Sequence, residues 1–149
     1  MPLFDHDKLV KLLSEFRKSV FRLKKLKELG QQKFLSDPDK IGSAKYHFIV
    51  VIESSIDMCN HIISRNGYRV PEDYGDTFRV MSEEGAFDTE FSLELVKMAK
   101  FRNRLVHLYW EIDDSMIYRI LEGSFGDLNK FLNSIADFLK WDAQEGLKP

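Results

Sequence analysis

Apolar residues recur at helical spacing along nearly the whole chain. From Asp7 to Leu29 the apolar positions are Leu9, Leu12, Leu13, Phe16, Val20, Leu23 and Leu26. Steps of three and four draw one face of a long amphipathic helix, and Gly30 stops it. The opposite face carries Lys11, Arg17, Lys18, Arg22, Lys24, Lys25 and Lys27. Such a row reads first as a solvated face and second as a surface that tracks RNA. Ser36-Asp37-Pro38 joins an oxygen-bearing cap to a proline at the first helical position, so a second helix begins there. It runs to about Arg65 and ends at Asn66-Gly67. At ~100° per residue, Ile41, Phe48, Val51, Ile52, Ile56, Cys59, Ile62 and Ile63 share one broad face. Tyr46, Glu53, Asp57 and Asn60 form a narrow polar stripe along its edge.

Pro71 is expected to open a short helix through Phe78, Val80 and Met81, ending near Gly85. Asp88 or Thr89 caps a fourth helix reaching at least Val106, and Asp113 or Asp114 caps a fifth that breaks at Gly123. A last helix from about Ser124 to Trp141 turns Phe125, Leu128, Phe131, Leu132, Ile135, Phe138 and Leu139 inward. No period-two segment of useful length interrupts the series. The pattern predicts an all-α fold, an antiparallel helical bundle with one interrupted or bent arm. Residues 1–149 are read as a single domain, a length that suits one core.

Composition narrows the picture slightly. At 44% hydrophobic and 31% charged, the chain is expected to be ordered up to its last few residues. The 22 Lys and Arg against 24 Asp and Glu leave a net charge of −2, which argues against general nucleic-acid binding but permits a local basic groove. Cys59 stands alone, so no intrachain disulfide or cysteine-based zinc cluster is expected; it reads as a small buried filler. The start Met1-Pro2-Leu3-Phe4-Asp5 lacks the marks of a signal peptide, and the run Phe48 to Ile52 is too short to span a bilayer. A cytoplasmic location without membrane attachment is the expectation.

The fourth helix breaks its own pattern. Phe91, Leu95, Met98, Arg102, Leu105 and Tyr109 form one core-facing stripe if the helix continues to Tyr109, and an arginine sits at its centre. A guanidinium does not shed its charge, so burying it unpaired is very costly. Arg102 therefore needs a carboxylate, a wet cleft or a subunit boundary, and Glu53 and Asp57 are the obvious partners within the chain. A structural ion pair holding two helices in register explains the same pattern equally well. His107 follows five residues later, about 140° around an ideal helix, whereas Asn103 and His107 share a face. Arg102 and His107 can meet one phosphate only if the helix ends near residue 107 or a second subunit contributes.

The segment Phe101-Arg102-Asn103-Arg104-Leu105-Val106-His107-Leu108-Tyr109 resembles the Arg-x4-His-x-Tyr signature of HepT toxins, members of the HEPN superfamily. Trp110-Glu111-Ile112-Asp113 and the upstream Val70-Pro71-Glu72-Asp73-Tyr74 are similar to the family as well, and the likeness runs from the second helix through the last. The resemblance implies a HEPN bundle that forms a homodimer, with two motifs facing one cleft. It further implies metal-independent RNA cleavage by the RNA's own 2′-hydroxyl, with no cofactor and no metal ion. In that reading His107 moves the proton and Arg102 stabilises charge on the phosphate oxygens. Asn103 orients the imidazole or binds phosphate, and Tyr109 contacts a base or a phosphate. The implied partner is a minimal nucleotidyltransferase antitoxin of the MntA kind, which attaches AMP to Tyr109; the added charge and bulk would then exclude substrate.

Three other readings compete. A non-catalytic HEPN module serving as a dimeric adaptor for the nucleotidyltransferase suits the net charge. A metal-dependent enzyme could draw ligands from Glu53, Asp57 and His61, although His61 drifts toward the solvent side and no facing Glu-x-x-His helix exists. A purely structural account makes His107 a helix-end histidine and Tyr109-Trp110 core aromatics. His6 and His47 take no functional role, and Lys97, Lys100 and Arg104 read as a solvated basic stripe.

Overall fold

The computed structural model describes residues 2–141, so the expectation for the last few residues lies outside the described part. Among the described residues the chain forms seven α-helices and one 3-10 turn. They are α1 (His6–Glu28), α2 (Gln31–Leu35), α3 (Pro38–Asn66), α4 (Tyr74–Glu83) and α5 (Thr89–His107). The turn (Tyr109–Glu111), α6 (Asp114–Gly123) and α7 (Phe125–Leu139) complete the order. The all-helical expectation holds, and no helix among the described residues is long and apolar enough to cross a membrane.

Most of these starts are written in the sequence as aspartates. Asp5, Asp37, Asp88 and Asp113 each stand in extended backbone and accept a backbone N–H of the first turn. Each such cap typically contributes about 1 kcal/mol. Gly67 closes α3 in the left-handed region at φ 66°, where a side chain would be strained.

The long α3 is the central post, with α1 against one side and α4 and α5 against others. The apolar stripe of α1 is buried as the periodicity requires, and so is the broad face of α3, including Cys59. Phe131 of α7 is fully buried and gathers Phe16, Phe87 and Phe78, with ring centroids 5.9, 5.8 and 6.3 Å away. Truncating so central a ring to alanine removes about 3–5 kcal/mol.

Three departures have local causes. Pro71 does not open α4; Asp73 does, because its Oδ1 accepts the Asp76 N–H at 2.7 Å and Pro71 stays in the lead-in loop. The short α2 carries too few residues to show a period, yet it buries Phe34 against Tyr118. The last helix starts at Phe125 and ends at Leu139, where Lys140 turns left-handed at φ 55° and swings Trp141 back onto Phe4. The fourth helix reaches past Val106 as expected and stops at His107, the helix end that one of the alternatives required, so Tyr109 leaves the core-facing stripe.

Candidate active site

Arg102 lies in the last turns of α5 with its side chain only 12% exposed. The pairing expected from its position is present: Nε and Nη2 both donate to Glu53 Oε1 of α3, at 3.0 and 2.5 Å. Nη1 donates to Asn103 Oδ1 at 3.2 Å, and the guanidinium lies over the Tyr74 ring, 4.9 Å from its centroid. Three of the five guanidinium N–H groups are thereby engaged, which leaves two for an anion. Carboxylate, amide and ring together fix the plane of the group and partly neutralise it.

Asp57, the other expected partner, does not bond Arg102. Its side chain stays exposed at the tip, and partial desolvation followed by the neighbouring charge of Glu53 raises its pKa, with Lys8 opposing. The Glu53–Asp57 pair thus supplies one carboxylate to the arginine and a second nearby that holds its proton more tightly than usual.

His107 is the final residue of α5 and is exposed; among the described residues no hydrogen bond ties it to Arg102 or Asn103. Asn103 turns toward Arg102 instead, although it shares a helix face with His107. The helix breaks at Leu108, whose N–H reaches Arg104 O at 2.9 Å, and the chain re-enters a 3-10 turn. That turn holds Tyr109 and Trp110 outward, 63% and 67% exposed, with their rings 5.4 Å apart and edge to face. The expectation that these aromatics could be core is overturned, because the 3-10 turn rotates them off the buried stripe.

Two features escape sequence reasoning. Arg69, in the loop before α4, forks onto Asp76 at 2.7 and 2.9 Å and onto Glu83 at 3.0 and 3.1 Å. These bonds, with the Glu72 N–H at 2.9 Å, hold the buried Asp76 carboxyl down to about 2. The fork anchors the segment that presents Tyr74 to Arg102; acids seven apart on α4 were its only sequence signal. Beside Tyr74 opens a groove of about 680 Å³, lined in part by Asn60, Ser64, Tyr68 and Thr77.

The ligands that the metal reading would draw on do not come together. His61 is buried rather than solvent-facing, and its Nε2 accepts the Asp5 N–H at 2.8 Å, which ties the start of α1 to α3. Burial, then Lys8, lowers its pKa. Glu53 is committed to Arg102, and among the described residues no three His, Cys, Asp or Glu groups converge as metal ligands. His47 bonds Ser19 at 3.0 Å, a structural contact, and Lys97 pairs with Glu94 at 3.1 Å on the surface.

The site thus holds a carboxylate-paired arginine and an exposed histidine at the end of α5, with an outward tyrosine in the 3-10 turn that follows. The fold superposes at a TM-score of 0.81 on a tri-AMPylated Shewanella oneidensis HEPN toxin in complex with MNT antitoxin. The match covers 91% of this chain and 99% of that one at 21% identity. The profile of the Ribonuclease HepT-like family matches residues 16–135, and the chain belongs to that family. A protein of Archaeoglobus fulgidus, named provisionally as an RNase, is 29% identical over 103 residues, 69% of this chain and 77% of the relative. The mRNA nuclease HepT of Shewanella oneidensis is 26% identical over 83 residues, 56% of this chain and 62% of the relative.

Proposed function

We propose that this protein is a metal-independent endoribonuclease toxin that acts as a homodimer. The observation that carries the reading is the Arg102 guanidinium: oriented by Glu53, Asn103 and Tyr74, it retains two free donors within five residues of an exposed imidazole. A structural ion pair alone would not require that imidazole, nor the aromatic turn that follows it.

Within one chain Arg102 turns toward α3 while His107 is the exposed last residue of α5, and no hydrogen bond among the described residues joins them; in the proposed dimer both protomers serve one phosphate. A two-fold axis beside the 3-10 turn would bring the two motifs together, and the exposed Tyr109 and Trp110 offer the apolar surface for it. In such a cleft the RNA 2′-oxygen attacks the adjacent phosphorus and the bond to the 5′-oxygen breaks. One protomer's His107 accepts the 2′-hydroxyl proton, and the partner's His107, as imidazolium, protonates the leaving 5′-oxygen. Arg102 offsets charge on the non-bridging oxygens as the phosphorus becomes five-coordinate. Asn103, held beside Arg102, has its amide nitrogen available to the same phosphate.

Tyr109 is the proposed acceptor of AMP from a nucleotidyltransferase antitoxin. Its exposure leaves the hydroxyl accessible, and the similar Shewanella oneidensis toxin is itself tri-AMPylated and bound to MNT antitoxin. A phosphodiester at the mouth of the cleft repels RNA phosphate.

Expression tests this reading first. Induced alone, the wild-type chain should arrest growth, His107→Ala should not, and co-expression of a cognate nucleotidyltransferase should rescue the wild type. Equal growth with wild type and His107→Ala would favour the adaptor.

A further inference from the structure

Far from the motif, α1 carries an arginine whose charge no carboxylate among the described residues compensates. Arg17 has Nε and Nη2 sealed from solvent without any hydrogen-bond acceptor. Nη1 is left as the nitrogen with access to water. Burial lowers the pKa of the group, yet a guanidinium stays charged at any physiological pH. No carboxylate among the described residues pairs with it, nor with Lys24 or Lys27 further along the helix.

These cations share a setting. Phe16, Arg17, Phe21 and Lys24 of α1 and Asn129 and Leu132 of α7 line a groove of about 200 Å³, room for a phosphate group rather than a large ligand. Residues 17, 21 and 24 fall on one helix face. At the end of the groove the ammonium groups of Lys24 and Lys27 both stand over the Phe125 ring, 5.9 and 5.3 Å from its centroid. Phe21, between Arg17 and Lys24 along the helix, remains exposed, with the Lys25 ammonium over one face of its ring, 5.4 Å from the centroid. By contrast Lys18 and Lys25 have carboxylates at 3.6 and 3.7 Å on their own helix. The positive charge is segregated as well: α1 holds eight Lys or Arg against three Asp or Glu in a chain of net charge −2.

We propose that the α1–α7 groove is an RNA-binding exosite, with backbone phosphates held at Arg17, Lys24 and Lys27 and a base stacked on Phe21. A row of unpaired cations interrupted by an exposed ring matches single-stranded nucleic acid, in which phosphates alternate with flat bases. An acidic protein segment would meet the charge but not the ring. No lining residue of this groove belongs to α3 or α5, so it adds affinity and leaves the reacting groups untouched. The inference rests on RNA being the substrate.

The test uses a 2′-O-methyl single-stranded RNA, which lacks the attacking hydroxyl, and reads binding by fluorescence anisotropy across a salt series. Arg17→Met keeps the buried stem and removes the charge; a Lys24→Gln/Lys27→Gln double variant leaves the core alone and carries the test if Arg17→Met fails to fold. Each is expected to weaken binding about tenfold and to reduce the slope of log K against log salt by about 0.7 for every phosphate no longer neutralised. On cleavable RNA, KM should rise while kcat holds. Unchanged affinity and slope in the variants would overturn the exosite, even with cleavage intact. Binding that weakens in the variants of a wild type that never cleaves would instead uphold the exosite and defeat the nuclease reading.

Discussion

Arg102 shows how much one buried charge constrains its surroundings. Its stem lies among α3 and α4 residues, so the head must find acceptors there, and Glu53 supplies them with one oxygen at 3.0 and 2.5 Å. Glu53→Gln keeps an acceptor and removes the charge. Because Glu53 is half exposed, solvent already screens the pair, and the variant should lose only about 1 kcal/mol in a denaturant melt. Cleavage should suffer more, about tenfold in kcat/KM, since a guanidinium that shifts no longer meets the phosphate in register. A variant equal to wild type in rate would return Arg102 to a structural role. Asp76 makes a second prediction at this scale. Its carboxyl is held near 2 by Arg69 and the Glu72 N–H, against about 4 for an unperturbed aspartate. A depressed pKa stabilises the fold fully above the unfolded value, and that contribution disappears as pH falls through the folded one. The thermal midpoint should therefore drop between about pH 4 and pH 2, and Asp76→Asn should flatten that limb while lowering stability at neutral pH. Equal acid limbs in the two proteins would contradict the pairing.

The long elements were legible because long helices repeat their signal many times. The stripes of α1 and α3 and the aspartate caps predict the observed boundaries to within a residue or two. Short elements carry no period. Five residues in α2 and three in the 3-10 turn each present less than two turns, and only a tertiary contact such as Phe34 on Tyr118 makes them fold. The same limit explains Tyr109: spacing leaves open whether α5 runs on and buries the ring or ends near residue 107, and the break at Leu108 exposes it. In the site, Glu53 with Arg102 was readable as a buried charge needing a mate. The choice of Glu53 over Asp57, the Tyr74 stack and the Arg69 fork depend on loop geometry that no periodicity encodes. The exposed turn yields an element-scale prediction. The proposed two-fold interface includes Trp110, so sedimentation should find a wild-type dimer, a Trp110→Lys monomer, and loss of cleavage in parallel. A cleaving monomer would sink the composite site.

Across the whole molecule, α3 separates two surfaces of different character. On one side α1 presents unpaired cations around Arg17, in a groove that α7 completes; on the other the end of α5 and the start of α4 present Arg102, His107 and the aromatic turn. The net charge of −2 conceals this division, which is why bulk composition is a poor guide to RNA here. The proposed division of labour follows: one surface would gather the strand and the other react with it. The reaction is tested most directly by the ends of its products. Purified protein incubated with RNA in excess chelator should yield fragments bearing 2′,3′-cyclic phosphate and 5′-hydroxyl ends, with none from His107→Ala. Fragments ending in a 3′-hydroxyl, or cleavage abolished by the chelator, would contradict attack by the RNA's own 2′-oxygen.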